Sequence, residues 1–159
     1  MKKIKSFVGL IVAIGMICSQ VLMVSAANLE TEENIIHVER QYFENGDYIE
    51  TIVSESPIAT YSSSKSGSKT STYYRDNTAL WYVKVWGAFT YTGSSVYCTD
   101  ASVDAGSYNS YWGVSNLTSS YSGNIATASA TGKHYFGNAV TETVKETVHL
   151  SCSVNGSLY

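Results

Sequence analysis

The stretch Leu80-Trp-Tyr-Val-Lys-Val-Trp-Gly-Ala-Phe-Thr-Tyr91 decides the fold. Trp81, Val83, Val85, Phe89 and Tyr91 recur at period two, and Tyr82, Lys84, Trp86 and Thr90 fill the alternate positions. Successive side chains of a strand point to opposite faces. The first set therefore belongs in a core, and the second, polar with two aromatics, faces outward. The spacing predicts a strand over about residues 79–91, entered from an Asp76-Asn77 turn and left at Gly93-Ser94.

The same pattern extends in both directions. On the C-terminal side, strands are expected at about 95–101, 112–118, 124–136 and 139–154, with a looser Gly, Ser and Tyr segment at 104–110. Ser122-Gly123-Asn124 and Gly137-Asn138 supply turns between them. In the last strand Val144, Val148, Leu150, Cys152 and Val154 share a face, and earlier Val96 and Cys98 do. Both cysteines then point inward; a slip of one residue would turn them into solvent. On the N-terminal side, a strand at 68–75 follows a Ser-rich stretch, 55–67, whose composition reads as a flexible linker. Before that, Asn45-Gly46 suits a tight type I′ turn between arms at about 35–43 and 47–54. No stretch beyond residue 26 has apolar residues at helical spacing. The expected architecture is an all-β antiparallel sandwich over residues 68–159, immunoglobulin-like or Greek-key, with an acidic β-hairpin segment at 27–54.

The first 26 residues read differently. Lys2, Lys3 and Lys5 precede an apolar run from Phe7 to Val24, which ends in the small residues Ser25-Ala26-Ala27. Basic start, apolar middle and small-residue end describe a cleavable export signal, removed after Ala26 or Ala27. Gly-Met-Ile before Cys18 does not match a lipoprotein box, and no second apolar span follows, so the mature form is expected not to span a membrane. Removal leaves seven basic against thirteen acidic side chains, a net charge of −6. Eight of the acids fall within residues 28–60, beside a single base, Arg40. A chain with no basic patch is a poor nucleic-acid binder. Export also exposes Cys98 and Cys152 to an oxidising compartment, where an even pair usually bridges. Closing that loop of about 55 residues is worth roughly 4 kcal/mol in the chain-entropy model.

Several segments together resemble a group of small secreted proteins of Gram-positive bacteria. They are Tyr42-Phe-Glu-Asn-Gly-Asp-Tyr48, Ser66-Gly-Ser-Lys-Thr70, Leu80-Trp-Tyr-Val-Lys-Val85, Gly87-Ala-Phe-Thr-Tyr-Thr-Gly-Ser-Ser95, Cys98-Thr99 and Cys152-Ser-Val-Asn-Gly-Ser-Leu158. The likeness spans about residues 36–159 and implies export and a single-disulfide β domain. It brings no catalytic or binding residues with it.

Chemistry-bearing motifs are sparse. His37, His134 and His149 fall on three different strands, and no metal-ligand spacing links them. The Gly-x-Ser-x-Gly elbow of serine hydrolases is missing, and no cofactor fingerprint occurs. Glu142 and Glu146 share the inward parity of the last strand, an odd place for carboxylates. Aromatics hold most of the functional content: all thirteen tyrosines lie beyond the signal. Tyr82 and Trp86 on an outward face, with Tyr108 and Tyr111 in the irregular segment, are the expected ligand-binding aromatics, because a sugar's apolar CH face stacks on such rings. The expectation is a secreted, non-catalytic module without metal or cofactor, acting at the cell envelope or in the medium on a cell-wall glycan or a surface protein. The alternatives are a secreted membrane-active or antagonistic protein, for which Thr141–Thr147 is amphipathic enough, and a hydrolase whose site assembles only in the fold.

Overall fold

The computed structural model describes residues 33–57 and 63–159. The expected export signal over 1–26, residues 27–32 of the acidic segment and residues 58–62 of the expected linker lie outside the described residues.

Among the described residues, eight antiparallel strands make two sheets. The first contains β1 (Asn34–Tyr42), β2 (Tyr48–Glu55), β3 (Ser64–Arg75), β4 (Thr78–Tyr91) and β5 (Val96–Ser107), paired in that order. The second pairs β6 (Trp112–Ser122), β7 (Ile125–Phe136) and β8 (Ala139–Ser151). No described residue is helical. The chain is thus the expected all-β antiparallel sandwich, but every hydrogen-bonded neighbour among the described strands is consecutive in sequence. That is an up-and-down meander in each sheet, and the immunoglobulin-like or Greek-key crossing is not present. Alternation sets which face a side chain takes; it does not encode strand order, and short turns favour pairing of neighbours.

The expected linker is also corrected. Ser64–Gly67 are the first residues of β3, and β2 pairs with β3 from Tyr48↔Tyr74 to Glu55↔Gly67. The acidic hairpin therefore forms the outer two strands of the five-stranded sheet. Its turn is not type I′ either. Gly46 N–H bonds Phe43 O, Phe43 N–H bonds Asp47 O, and only Gly46 has positive φ, +87°. This is a three-residue loop, a type I turn closed by a left-handed glycine. Asn45 fastens it by accepting from Asp47 N–H and donating to the Asp47 carboxylate. Asp76 and Asn77, both with positive φ, do form the tight two-residue turn between β3 and β4.

The core lies between β4 and β7. Trp81, Val83, Val85 and Phe89 are fully buried, as the period-two reading required. Opposite them β7 offers only Ala126, Ala128, Ala130 and Gly132. Large residues on one sheet meet small ones on the other, which brings the two backbones together. The Trp81 ring fills the space where a Gly132 methyl would go, 2.4 Å from it. Each such large side chain contributes roughly 1.5–3 kcal/mol by leaving water.

Two more boundaries move. The segment expected to be loose, 104–110, is strand through Ser107, because a bulge between Ala88 and Phe89 on the β4–β5 ladder resets the parity. Val96 and Cys98 face inward before it, and Ala101, Val103 and Ala105 after it. β8 ends at Ser151, not residue 154. Gly156 closes a second type I loop, Tyr159 and Ser151 exchange backbone hydrogen bonds, and Cys152 bridges Leu158. Val154 is exposed on that loop, while Leu158 is buried.

Cys98 and Cys152 are both buried and inward, but they are separate thiols in this structure, not the expected disulfide. Each sulfur turns toward a carbonyl of its own segment, Asp100 O at 3.3 Å and Ser153 O at 3.4 Å. Their backbones are close in topology: Cys98 N–H donates to Gly123 O and Cys152 N–H to Asn124 O, adjacent residues of one turn. Burial pushes both thiols above the ordinary range.

Candidate functional site

The outward face of the five-stranded sheet carries a group of neighbouring tyrosines. Pairing opposes Tyr42 with Tyr48 and Tyr48 with Tyr74. Their rings follow the register: Tyr42–Tyr48 centroids lie 5.2 Å apart, and Tyr48–Tyr74 stack at 4.7 Å with 5° between planes. On the same face Tyr108 packs on Tyr82 at 5.3 Å. The result is a row of five tyrosines across the width of the sheet, one from each of β1 to β4 and Tyr108 from the end of β5.

The row is held in place at its fringes. Arg40 ion-pairs with Glu50 and lies 5.4 Å above the Tyr48 ring, so Tyr48 is buried within the row. The Tyr74 hydroxyl donates to Glu50, and the Tyr82 hydroxyl donates to Asp104 at 3.0 Å. Burial, and then the neighbouring carboxylate, pushes both phenols above their ordinary range, so they stay neutral donors. Tyr82 lies flat over Gly106, where a methyl would come within 3.0 Å of the ring. Tyr42 and Tyr108 are the most open members, 64% and 61% exposed.

Further along the same face, Lys84 and then Trp86 follow Tyr82 on β4. Trp86 lines a depression of about 190 Å³ with Ser64, Ser66, Thr90 and Thr99, a setting of hydroxyls around an indole. Between the two ends lies Glu33, just before β1. It accepts from Lys84 at 2.8 Å and from Ser68 at 2.8 Å. Burial opposes its ionisation, but these two bonds outweigh it and hold the carboxyl below the ordinary carboxylate range.

Of the four aromatics expected from sequence, Tyr82, Trp86 and Tyr108 therefore share one face, and Tyr82 and Tyr108 touch. Tyr111 does not join them. It is 64% exposed at the end of the sandwich, beside a separate depression of about 280 Å³ with Arg75, Asn109, Trp112 and His134. Tyr42, Tyr48 and Tyr74 were missed. The Tyr42–Tyr48 pair depends on the loop length: a two-residue turn at Asn45-Gly46 would set Tyr42 opposite Ile49, and only the three-residue loop sets it opposite Tyr48.

No protein-family model matches this sequence, and no curated protein or solved structure matches it. The site must be read from its own chemistry.

The remaining polar groups are mostly engaged inside the fold. Glu142, one of the two inward carboxylates, ion-pairs with Arg75, which also grips the buried Asp47. Glu146 is covered between the sheets; burial pushes its carboxyl up, against a hydrogen bond from Ser71. His134 Nδ1 meets Thr141 Oγ1 at 2.7 Å and its ring packs tilted against Trp112, and His149 Nδ1 meets Thr127 Oγ1 at 3.0 Å. His37 lies 3.9 Å from Glu39 on the open face of β1. Among the described residues, no three His, Cys, Asp or Glu groups converge as a metal site. No described helix is long and apolar enough to cross a membrane.

Proposed function

We propose that this is a secreted module that binds glycans through the outward face of its five-stranded sheet, at the cell envelope or in the medium. The observation that carries the reading is the tyrosine row, Tyr42-Tyr48-Tyr74 in ring contact and Tyr82-Tyr108 packed together on the same face, with Trp86 beyond them. Rings locked by mutual stacking and by carboxylate hydrogen bonds lose little entropy on binding, which favours affinity for a weakly polar sugar face. Asp104, Glu50, Lys84 and the surrounding Ser and Thr hydroxyls supply directional bonds to sugar hydroxyls. The site is open and broad, which suits a polymer chain lying along the sheet better than an enclosed monosaccharide.

Export fits the same reading. An oxidising compartment would close the Cys98 and Cys152 thiols, which flank one turn, into a bridge that pins β5 to the end of β8. That bridge lies on the core side and leaves the tyrosine row untouched.

Intrinsic fluorescence tests the reading. Trp81 and Trp112 are buried, so Trp86 is the indole that a ligand on this face can reach. Soluble oligosaccharides released from cell walls should change the emission of the wild-type protein and leave Trp86→Phe unchanged. Equal responses from the two proteins would locate binding elsewhere and defeat the proposal.

A further inference from the structure

The two sheets have four edges, and three of them are protected. β5 runs beside β6 at the corner of the sandwich, where Cys98 N–H reaches Gly123 O. β6 is broken by a bulge between Ser115 and Thr118, with Asn116 in the left-handed region. The C-terminal end of β8 is paired by the chain's own Tyr159, and the rest of it carries the exposed Lys145. Bulges, charges and covering segments are the usual guards against edge-to-edge pairing.

Among the described residues, β1 is the exception. All nine of its residues are exposed, among them Ile35, Ile36, Val38 and Tyr42. It contains no proline and no lysine. A bulge interrupts its first turns between Ile35 and His37, so the regular stretch is His37 to Tyr42. Within that stretch Glu39 and Arg40 cancel, so the strand has no net charge to repel another copy of itself. Four nearby acids are already matched: Glu33 with Lys84, Glu50 with Arg40, Glu55 with Lys65 and Asp47 with Arg75.

We infer that β1 is a self-association edge, pairing antiparallel with β1 of a second copy to join two five-stranded sheets into one. Charge disfavours two of the possible registers. A two-fold pairing that keeps inward faces together must centre on a residue, so that opposed side chains share a face. Centring on Glu39 sets carboxylate against carboxylate, and centring on Arg40 sets guanidinium against guanidinium, both unfavourable. Centring on Val38 sets valine against valine and places His37 opposite Glu39 of the other copy, twice. The joined sheet would display both tyrosine rows on one surface, where two sites on one polymer raise apparent affinity without any new contact. The inference itself stands on β1 alone and does not need the glycan reading.

Sedimentation velocity of the exported chain, run over a range of concentrations, tests it. The wild-type protein should sediment as a dimer. Val38→Lys should weaken the dimer about 100-fold or more by setting two cations at its centre. His37→Glu should weaken it as well, and the exchange His37→Glu with Glu39→His should restore it, because the opposed pairs are re-formed. Val38, His37 and Glu39 are all exposed, so unchanged circular dichroism and melting are expected for each variant. Val140→Lys, at an equally exposed apolar position on β8, should leave the dimer intact. A wild-type monomer at the highest attainable concentration would overturn the inference. So would a Val38→Lys variant as dimeric as the wild type, or an exchange variant that stays monomeric.

Discussion

Arg75→Met should cost the domain about 2–3 kcal/mol. Arg75 joins the two sheets at one end of the sandwich. Its Nη2 donates to Asp47 Oδ2 at 2.7 Å and to Glu142 Oε1 at 3.0 Å, its Nε contacts both Asp47 oxygens, and its Nη1 donates to Glu142 Oε2 at 3.1 Å. The Asp47 side chain is only 5% exposed, while Arg75 and Glu142 are each about a third exposed. Stranding one partner of a fully buried pair costs roughly 3–5 kcal/mol. Solvent at Arg75 and Glu142 screens part of that, and Tyr73 and Asn45 still donate to Asp47, so the lower figure applies. Methionine keeps the apolar stem and isolates the charge effect. Urea unfolding followed by circular dichroism reads the loss, together with a fall of about 10 °C in the melting point. The acid behaviour adds a sign. The Arg75 guanidinium is the main cause that holds the Asp47 carboxyl below the ordinary carboxylate range. Its stabilisation is therefore complete above the unfolded value, about pH 4, and is lost as pH falls through the folded one. Arg75→Met should lose this part of the acid destabilisation. Asp47→Asn with Arg75→Met should be less harmful than the two single losses added, since the buried position 47 then holds no stranded charge and only the part-exposed Glu142 loses its partner. A loss below about 0.5 kcal/mol for Arg75→Met, or strict additivity in the double variant, would refute the reasoning.

Other consequences follow from the core and the covered carboxyl. Gly132→Ala should destabilise by about 1–3 kcal/mol, because its methyl would collide with the Trp81 ring at 2.4 Å and neither sheet can retreat; a urea midpoint close to wild type would contradict the packing of β4 on β7. Glu146→Gln should raise the melting point at neutral pH, since burial lifts the Glu146 carboxyl above its unfolded value and makes its charge a cost there. The gain should vanish in acid, where both states are protonated; a variant less stable than wild type at neutral pH would show the carboxylate to be an asset. Protein recovered from the medium, denatured without reductant, should show no free thiol at Cys98 or Cys152, and reduction should remove roughly 4 kcal/mol of stability. Two reactive thiols in that sample would end the disulfide proposal.

What the sequence revealed is what period two encodes. Trp81, Val83, Val85 and Phe89 announced their burial, and Cys98, Val148, Leu150 and Cys152 did the same, because each face-directed side chain is a local fact. Strand order is a non-local fact, so the meander was invisible. Ser64–Gly67 misled because serine-rich composition is read as a linker, whereas here small residues let β3 nestle against Leu158, which would collide with a Gly67 side chain. The bulge that flips β5 after Cys98 also has no signature in the composition. Of the site, Tyr82, Trp86 and Tyr108 were legible from parity and exposure, but the row was not. It depends on register across three separate pairings, and the pairing of β2 with β3 was hidden behind the supposed linker.

The most direct test of the glycan reading is retention of the purified protein on isolated cell walls and a panel of insoluble polysaccharides, with Tyr108→Ala, Tyr82→Ala and Tyr111→Ala run beside it. The account predicts retention of wild type and of Tyr111→Ala on at least one material, and a loss of tenfold or more, about 1.4 kcal/mol or greater, for Tyr108→Ala and Tyr82→Ala. Retention on none of the materials, or equal retention of all four proteins, would contradict it.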